Sequence, residues 1–435
     1  MPLTRRAIAL AAAALPGSAL AQQGPDQLPG FGPDPRLPAP DTSHAVTNHP
    51  TRIGWPEGHT PTAAEGFRVS RLAGGLDNPR NLLVLPNGDV LVAEAATKPK
   101  EPRNAEEREK IAQQRRSGTM RDSANRITLL RGLTPAGEAR ERVVLLDGLN
   151  QNFGMALVGD SLFVANTDAV LRFPFAPGQT RITAPGRKIL DLPAGGYNNH
   201  WTRNLLPTPD GRGLFVAVGS ASNAGEYGLE QEERRAAILR VGLDGSGETV
   251  FASGLRNPVG IALQPGTQTL WTVVNERDNL GDDLVPDYLT HVQEGGFYGW
   301  PYSYYGRHED PRLAGQRPEL VAKAIVPDYA LGPHTASLGL CFSTGAAFPA
   351  AWRGGAFIGQ RGSWNRESYS GYRVLYVPFR DGRPDGAPRD LLTGFMANPR
   401  TGEVHGRPVG VAMDGQGALL VADDTGDSVW RVTAA

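Results

Sequence analysis

His200 stands in the run NNHW (198–201), directly ahead of an apolar, strand-like stretch. A neutral imidazole is the natural general base near pH 7, although a lone histidine more often serves structure or solvation. Arg256-Asn257-Pro258 occupies the same place ahead of the next apolar stretch, and Arg407-Pro408 ahead of the last. Guanidinium groups gathered at one mouth repel one another unless an anion lies between them. Their forked donors suit carboxylates, phosphates or a developing oxyanion. The set therefore predicts an anionic ligand with a base, His200, beside it. The segment NERDNLGDDLVPDY (275–288) gathers Glu276, Asp278, Asp282, Asp283 and Asp287. Such hard oxygen ligands suit Ca²⁺, but the spacing is not that of an EF-hand, and a solvated acidic loop is the competing reading. The run EGGFYGWPYSYYG (294–306) offers either an aromatic platform for a flat ligand or plain core packing.

Something must bring these residues together. A Gly-bearing turn followed by an apolar strand recurs six times: PNGDVLVAEA (86–95), GDSLFVANTDAV (159–170), PDGRGLFVAVGS (209–220), PGTQTLWTVVNE (265–276), GGAFIGQRGSW (354–364) and GQGALLVADD (415–424). Repeats of this kind mean stacked supersecondary units. All-β repeats of this size predict a six-bladed β-propeller with four strands per blade around a central channel. Corresponding positions in each blade surround one axis, which would bring Asn78, Arg80, Gln151, His200, Arg256, Asn257, His334 and Arg407 to one mouth. The final strand-like run WRVTAA is placed to close the ring with a strand from the start of the repeat.

The 435 residues include 54 Gly and 36 Pro, as an all-β chain of many turns requires. The formal net charge of −1 leaves no basic excess for nucleic acid. Residues 1–21 read as a secretory signal: Arg5 and Arg6, an apolar core over 7–15, and a small-residue cleavage site at Ala19-Leu20-Ala21. The arginine pair also permits the twin-arginine route, and the apolar run is too short to span a membrane. A periplasmic or secreted location follows as an expectation. Cys341 is the single cysteine, so neither an internal disulfide nor a CxxCH haem site is available. Its apolar setting reads as a buried structural thiol. Residues 22–65 read as an extended arm, 66–435 as the propeller, and the charged stretch 98–121 as a solvated surface excursion; a lid or partner-docking role is the alternative.

Several stretches taken in order resemble the quinoprotein glucose/sorbosone dehydrogenases, most closely the L-sorbosone dehydrogenase-like branch. They are LDNPRNLLVLPNGDVLVAEA, HWTRNLLPTPDGRGLFVAVGSASNAGE, GLRNPVGIA with NERDNLGDDLVPDYL and GGFYGWPY, GQRGSWNRESYSGYRV, and GRPVGVAMDGQGALLVADD. The resemblance runs from about Gly54 to Val432. It implies a six-bladed propeller holding pyrroloquinoline quinone (PQQ) and Ca²⁺ on its axis. It also implies oxidation of a sugar at a C–OH or hydrated aldehyde, with electrons passed to a separate acceptor, a quinone or a cytochrome. On this likeness His200 is the base, and Arg256 and Asn257 contact the reactive quinone edge. Gln151, Arg366 and Arg407 lie at the cofactor, and Glu276, Arg277 and Asp278 occupy the calcium-binding stretch. Asn199 stands where glucose-oxidising members carry an aspartate, and Arg277-Asp278 where they carry Gly-Pro; both differences favour the sorbosone-like branch. A Ca²⁺-dependent lactonase-type hydrolase and a non-catalytic binding propeller are the alternatives, and a neutral lactone has no need of the arginines.

Overall fold

Every apolar run of the repeat forms the second strand of an antiparallel sheet. These strands are Val90–Glu94, Ser161–Ala165, Gly213–Val218, Leu270–Val274, Ala356–Gln360 and Leu419–Asp423, and each is buried along its whole length. A strand covered on one face alternates apolar and polar residues; one covered on both reads as a continuous apolar run. The runs LFVAV and LWTVV therefore demand sheets stacked face to face. The computed structural model describes residues 30–43, 45–99, 101–102 and 104–435, so the signal segment read over 1–21 lies outside the described residues.

Among the described residues, six sheets of four or five strands follow one another along the chain, antiparallel except where Gly296–Phe297 pairs parallel with Thr249–Ser253. The first sheet begins with Pro79–Val84, the second with Met155–Val158 and the third with Arg203–Pro207. The fourth begins with Pro258–Leu263, the fifth with Ser337–Phe342 and the sixth with Pro408–Met413. Each of these opening strands touches the opening strand of the next sheet, and that of the sixth touches that of the first. The approach is close: a Cβ on Gly154 would lie 2.5 Å from the Leu205 nitrogen, and one on Gly339 would lie 1.9 Å from the Val409 oxygen.

Separate apolar cores fill the gaps between neighbouring sheets. Leu91, Leu129 and Phe173 pack between the first and second; Phe163, Leu205 and Val216 between the second and third. The cycle ends with Leu82, Val92, Leu420 and Val429 between the sixth and the first. Phe153, Val259, Leu338 and Val409 meet in a small cluster of their own from four of the opening strands or their leads. The sixth sheet is assembled from both parts of the chain: Ser428–Ala434 pairs antiparallel with Phe67–Ala73, with Val432 opposite Val69.

The arm adds short strands to sheets formed by later residues. Phe31–Gly32 pairs with Tyr329–Pro333, Thr51–Arg52 with Glu403–Val404, and Thr62–Ala63 with Arg389–Thr393. Within the charged insertion a helix runs over Ala105–Arg116. The Asn104 side chain accepts from the Glu107 N–H, and Glu106, Glu107, Arg115 and Arg116 complement the helix dipole. None of its side chains is buried, as a solvated excursion requires. The turn that follows differs, because Ser117 and Met120 are buried and carry the chain into the mouth of the sheet ring. No helix among the described residues is long and apolar enough to cross a membrane.

Candidate active site

His200 lies on a loop leading into the strand Arg203–Pro207. The buried Arg203 guanidinium holds that loop by donating to the carbonyls of His200 (2.6 Å), Thr202 (2.9 Å) and Pro193 (2.7 Å) and to Asn198 Oδ1 (2.9 Å). His200 Nδ1 is 2.8 Å from the Ser220 carbonyl and 3.0 Å from its hydroxyl. A carbonyl only accepts, so Nδ1 carries the proton and Nε2 keeps its lone pair. Burial holds the ring well below its ordinary value of 6.5, and the cations Arg256, Arg203 and Arg235 add to that against the Ser220 bond. The imidazole is therefore neutral at neutral pH, the form a proton acceptor needs. Gly219 makes the arrangement possible. A Cβ there would sit 2.3 Å from Asn257 Oδ1 and 2.6 Å from His200 Cβ.

Arg256 and Asn257 connect the third and fourth sheets. The Arg256 carbonyl accepts from the Ser220 N–H (2.8 Å), and the Asn257 carbonyl from the Asn275 N–H (3.0 Å). Every guanidinium nitrogen of Arg256 has protein partners. Nε donates to the Asn223 carbonyl, Nη1 to the carbonyls of Asn275 and Glu276, and Nη2 to Asn223 Oδ1 and Asp278 Oδ2. Arg256 thus acts on the site as a fixed positive charge that organises the acidic loop. Asn257 Oδ1, by contrast, is buried with no partner.

The acidic loop is tied down by its own ion pairs. Glu276 accepts from Arg277, and the Arg277 guanidinium also reaches Asp310 Oδ2 (2.8 Å) and the carbonyls of Pro301 and Ser303. Asp278 Oδ1 accepts from Asn365 (2.6 Å), and its carbonyl from Asn223 and Arg312. The side chains of Glu276 and Arg277 therefore serve the fold. No group of three or more His, Cys, Asp or Glu side chains that could hold a metal ion occurs among the described residues. In the stretch 276–278 the carboxylates and the carbonyls of Glu276 and Asp278 accept N–H donors, and the Glu276 carbonyl and Asp278 Oδ1 each keep a further lone pair. The aromatic run after it is packing. Tyr298, Tyr304 and Tyr305 belong to the core of the third and fourth sheets, and Trp300 braces Asn223 by donating to its carbonyl (2.9 Å).

A second group of charges lies at the same mouth. Arg80 and Arg361 both donate to the buried carboxylate Asp424, and Arg407 donates to the carbonyls of Arg361 (2.9 Å) and Gly362 (2.6 Å). Thr119, from the insertion, receives Arg361 Nη2 at 3.1 Å and Arg407 Nη1 at 3.2 Å. The excursion therefore contributes to the site, contrary to the solvated reading of 98–121. Burial opposes ionisation of Asp424, but Arg361, Arg80 and Arg407 hold its carboxyl far below the usual range. Burial lowers Arg80 and Arg407 to about 10, with Arg361 adding to the effect on each. Two guanidinium groups thus share one carboxylate, a third, Arg407, lies beside them on backbone carbonyls, and Arg80 Nε is buried without a partner. Such an excess of buried positive charge needs an anion. The two groups are joined by Trp201, whose ring lies 5.3 Å from the Arg80 guanidinium, and by the 361–365 loop, whose Asn365 reaches both Asp278 and His334.

Arg366 lies outside this cluster, tying two loops together through Asp283 (2.6 Å) and the carbonyls of Asp282 and Ser368. Arg361, five residues earlier, is the arginine of this stretch that pairs with Asp424. Gln151 is buried and donates to the Ala96 carbonyl (3.0 Å). Asn78, Gln151 and His334 all adopt positive φ, at 52°, 48° and 56°, just before the opening strands of their sheets. Strained backbone of this kind clusters at ligand-binding positions. Arg361 and Asp424 each follow immediately after the second strand of a sheet, a repeated position that could have been read from QRGSW and VADD.

The family model described as TrAA12-like matches residues 61–291 and 321–435. The chain belongs to the TrAA12-like family. Within this likeness it is 24% identical over 426 residues to the pyrroloquinoline quinone-dependent pyranose dehydrogenase of Coprinopsis cinerea, covering 84% of this chain and 53% of that protein. The holo form of the PQQ domain of the C. cinerea pyranose dehydrogenase superposes with a TM-score of 0.69 at 21% identity, covering 89% of this chain and 100% of that one. The calcium structure of the Trichoderma reesei family AA12 protein gives 0.69 at 18% identity, covering 89% and 98%. This TrAA12-like chain spans less than two thirds of the length of the curated relatives it matches most strongly.

Proposed function

We propose that the protein is a PQQ-dependent dehydrogenase of sugars, and that its six sheets are the blades of a six-bladed propeller carrying the cofactor at one mouth of the axis. The observation that carries this reading is the buried cluster in which Arg80 and Arg361 donate to Asp424 and Arg407 donates to the Arg361 carbonyl. PQQ is a flat tricarboxylate, and the excess of buried positive charge suits it where a neutral substrate would leave that charge unpaired. The unpartnered Arg80 Nε and Asn257 Oδ1 fit the same group, as a donor and an acceptor with work still to do. The TrAA12-like match and the likeness to a PQQ-dependent pyranose dehydrogenase support the choice of cofactor.

When bound, PQQ supplies the two-electron acceptor for the hydride lost from the substrate carbon. The substrate hydroxyl proton goes to His200 Nε2, left free because Nδ1 donates to Ser220. Burial, with Arg256 and Arg203 adding to it, keeps that imidazole neutral, and Arg203 fixes the loop that aims it. Asn257, beside the base across Gly219, orients what lies between them. Calcium enters the reading from the family resemblance and the T. reesei structure. In this chain the oxygens of the 276–278 stretch would hold it through the lone pairs that their N–H donors leave free. In this reading the electrons pass to an external acceptor, a quinone or a cytochrome. A sorbosone-like aldose is the substrate class that Asn199 and Arg277-Asp278 favour, and residues 1–21 favour export.

Titration of the purified protein with PQQ, with and without Ca²⁺, is expected to quench tryptophan fluorescence saturably. The loaded protein is expected to reduce a dye with aldoses, ketoses or sorbosone. Absence of both quenching and dye reduction, with Ca²⁺ present, would rule the reading out.

A further inference from the structure

The arm and the insertion meet above the arginine cluster. Asn48 fastens the arm by donating its N–H to the Trp364 carbonyl (2.6 Å) and its amide to the carbonyls of Arg366 and Glu367, while accepting from Tyr369 (2.7 Å). Three residues on, the Thr51 and Ile53 N–H groups bond the carbonyls of Gly402 (2.8 Å) and Val404 (2.9 Å), just ahead of Arg407. His49 is held between these two attachments. Its ring stacks on Trp364, with centroids 5.1 Å apart and planes 15° from parallel. Lys110 of the insertion helix lies 5.6 Å from the same Trp364 ring. Both ring nitrogens of His49 are buried, and neither has a hydrogen-bond partner.

Two orphaned nitrogens on a ring fixed from both sides call for an explanation, because buried polar groups normally find partners. The stack on Trp364 alone would be met as well by phenylalanine. We propose that His49 is a ligand-binding residue that closes the anion site from the arm side, donating a hydrogen bond to a carboxylate seated on Arg80, Arg361 and Arg407. This rests on the PQQ reading above and extends it to a segment outside the repeats. The surroundings agree. Burial, followed by Arg407, Lys110, Arg361 and Arg116, lowers the imidazole to about 3, so His49 is neutral and offers one N–H. An anion among those cations would relieve the repulsion that keeps it so.

His49→Phe preserves the stack and removes both nitrogens. Its PQQ dissociation constant, read by fluorescence titration against an unchanged thermal midpoint and near-ultraviolet circular dichroism, is expected to rise about tenfold. His49→Gln, which restores a donor, is expected to recover part of that loss. In the wild-type protein, ¹⁵N-histidine NMR is expected to show the His49 ring resonances moving on PQQ addition, with the titration midpoint shifted upward. Equal PQQ affinity in the wild type and His49→Phe, or His49 resonances unmoved by PQQ, would overturn the proposal while leaving the dehydrogenase reading intact. A wild-type protein that binds no PQQ would overturn both.

Discussion

At the scale of single residues, His200 and Arg256 divide one task. His200 has a bare Nε2 because the Ser220 carbonyl takes the Nδ1 proton, and it stays neutral because it is buried among cations. Replacing His200 by alanine in the PQQ-loaded protein is expected to lower turnover at least about a hundredfold without loss of fold; a near-wild-type rate would remove it from the mechanism. NMR titration of the unloaded protein is expected to give a His200 midpoint well below 6.5, and Arg256→Met, which removes the second-largest cause, is expected to raise it. The placing of His200 beside Arg256 was legible in the sequence, since they precede apolar strands in successive repeats. Arg361 and Asp424 were passed over, although they share a repeated position just after the second strand rather than before the first. His49 and Thr119 come from segments with no periodicity at all. Only the docking of the arm and the insertion onto the ring brings them to the arginines.

At the scale of elements, the fully buried second strands explain why the fold could be read so directly. Stacking on both faces demands unbroken apolar runs, and those runs recur with a turn before each. The insertion was harder, because its helix is polar on every side and gives no sign that the turn after it is buried. The strand ends have the least tolerance. Gly219→Ala adds one methyl group between His200 and Asn257, where existing atoms lie 2.6 and 2.3 Å away. The expected outcome is a loss of turnover of at least about tenfold, from displacement of the base by as little as an ångström, with far-ultraviolet circular dichroism unchanged. Wild-type activity in this variant would mean that the loop yields without moving the base.

At the scale of the whole molecule, the buried network Glu276–Arg277–Asp310 joins the acidic loop to the long excursion between two strands of the fourth sheet. Arg277→Met would leave both carboxylates without their buried partner and is expected to cost about 3–5 kcal/mol in denaturant unfolding. Burial opposes ionisation of Asp310, yet Arg312 and Arg277 hold it down to about 2. Its folded value lies below its unfolded one. The stability it contributes is therefore present above about pH 4 and is lost as pH falls toward 2. That loss amounts to about 2 kcal/mol, and Arg277→Met is expected to flatten this acid slope; an unchanged slope would separate Asp310 from Arg277. The closure of the sixth sheet by Ser428–Ala434 against Phe67–Ala73 bears on how the protein is made. Arg80 and its carboxylate Asp424 are 344 residues apart in the chain. A growing polypeptide completes five sheets before Asp424 has been synthesised, so Arg80 and Arg361 acquire their shared counter-charge only with the sixth sheet. Arg407 arrives with that same sheet, so a nascent chain that has not reached it holds five sheets and an incomplete arginine cluster.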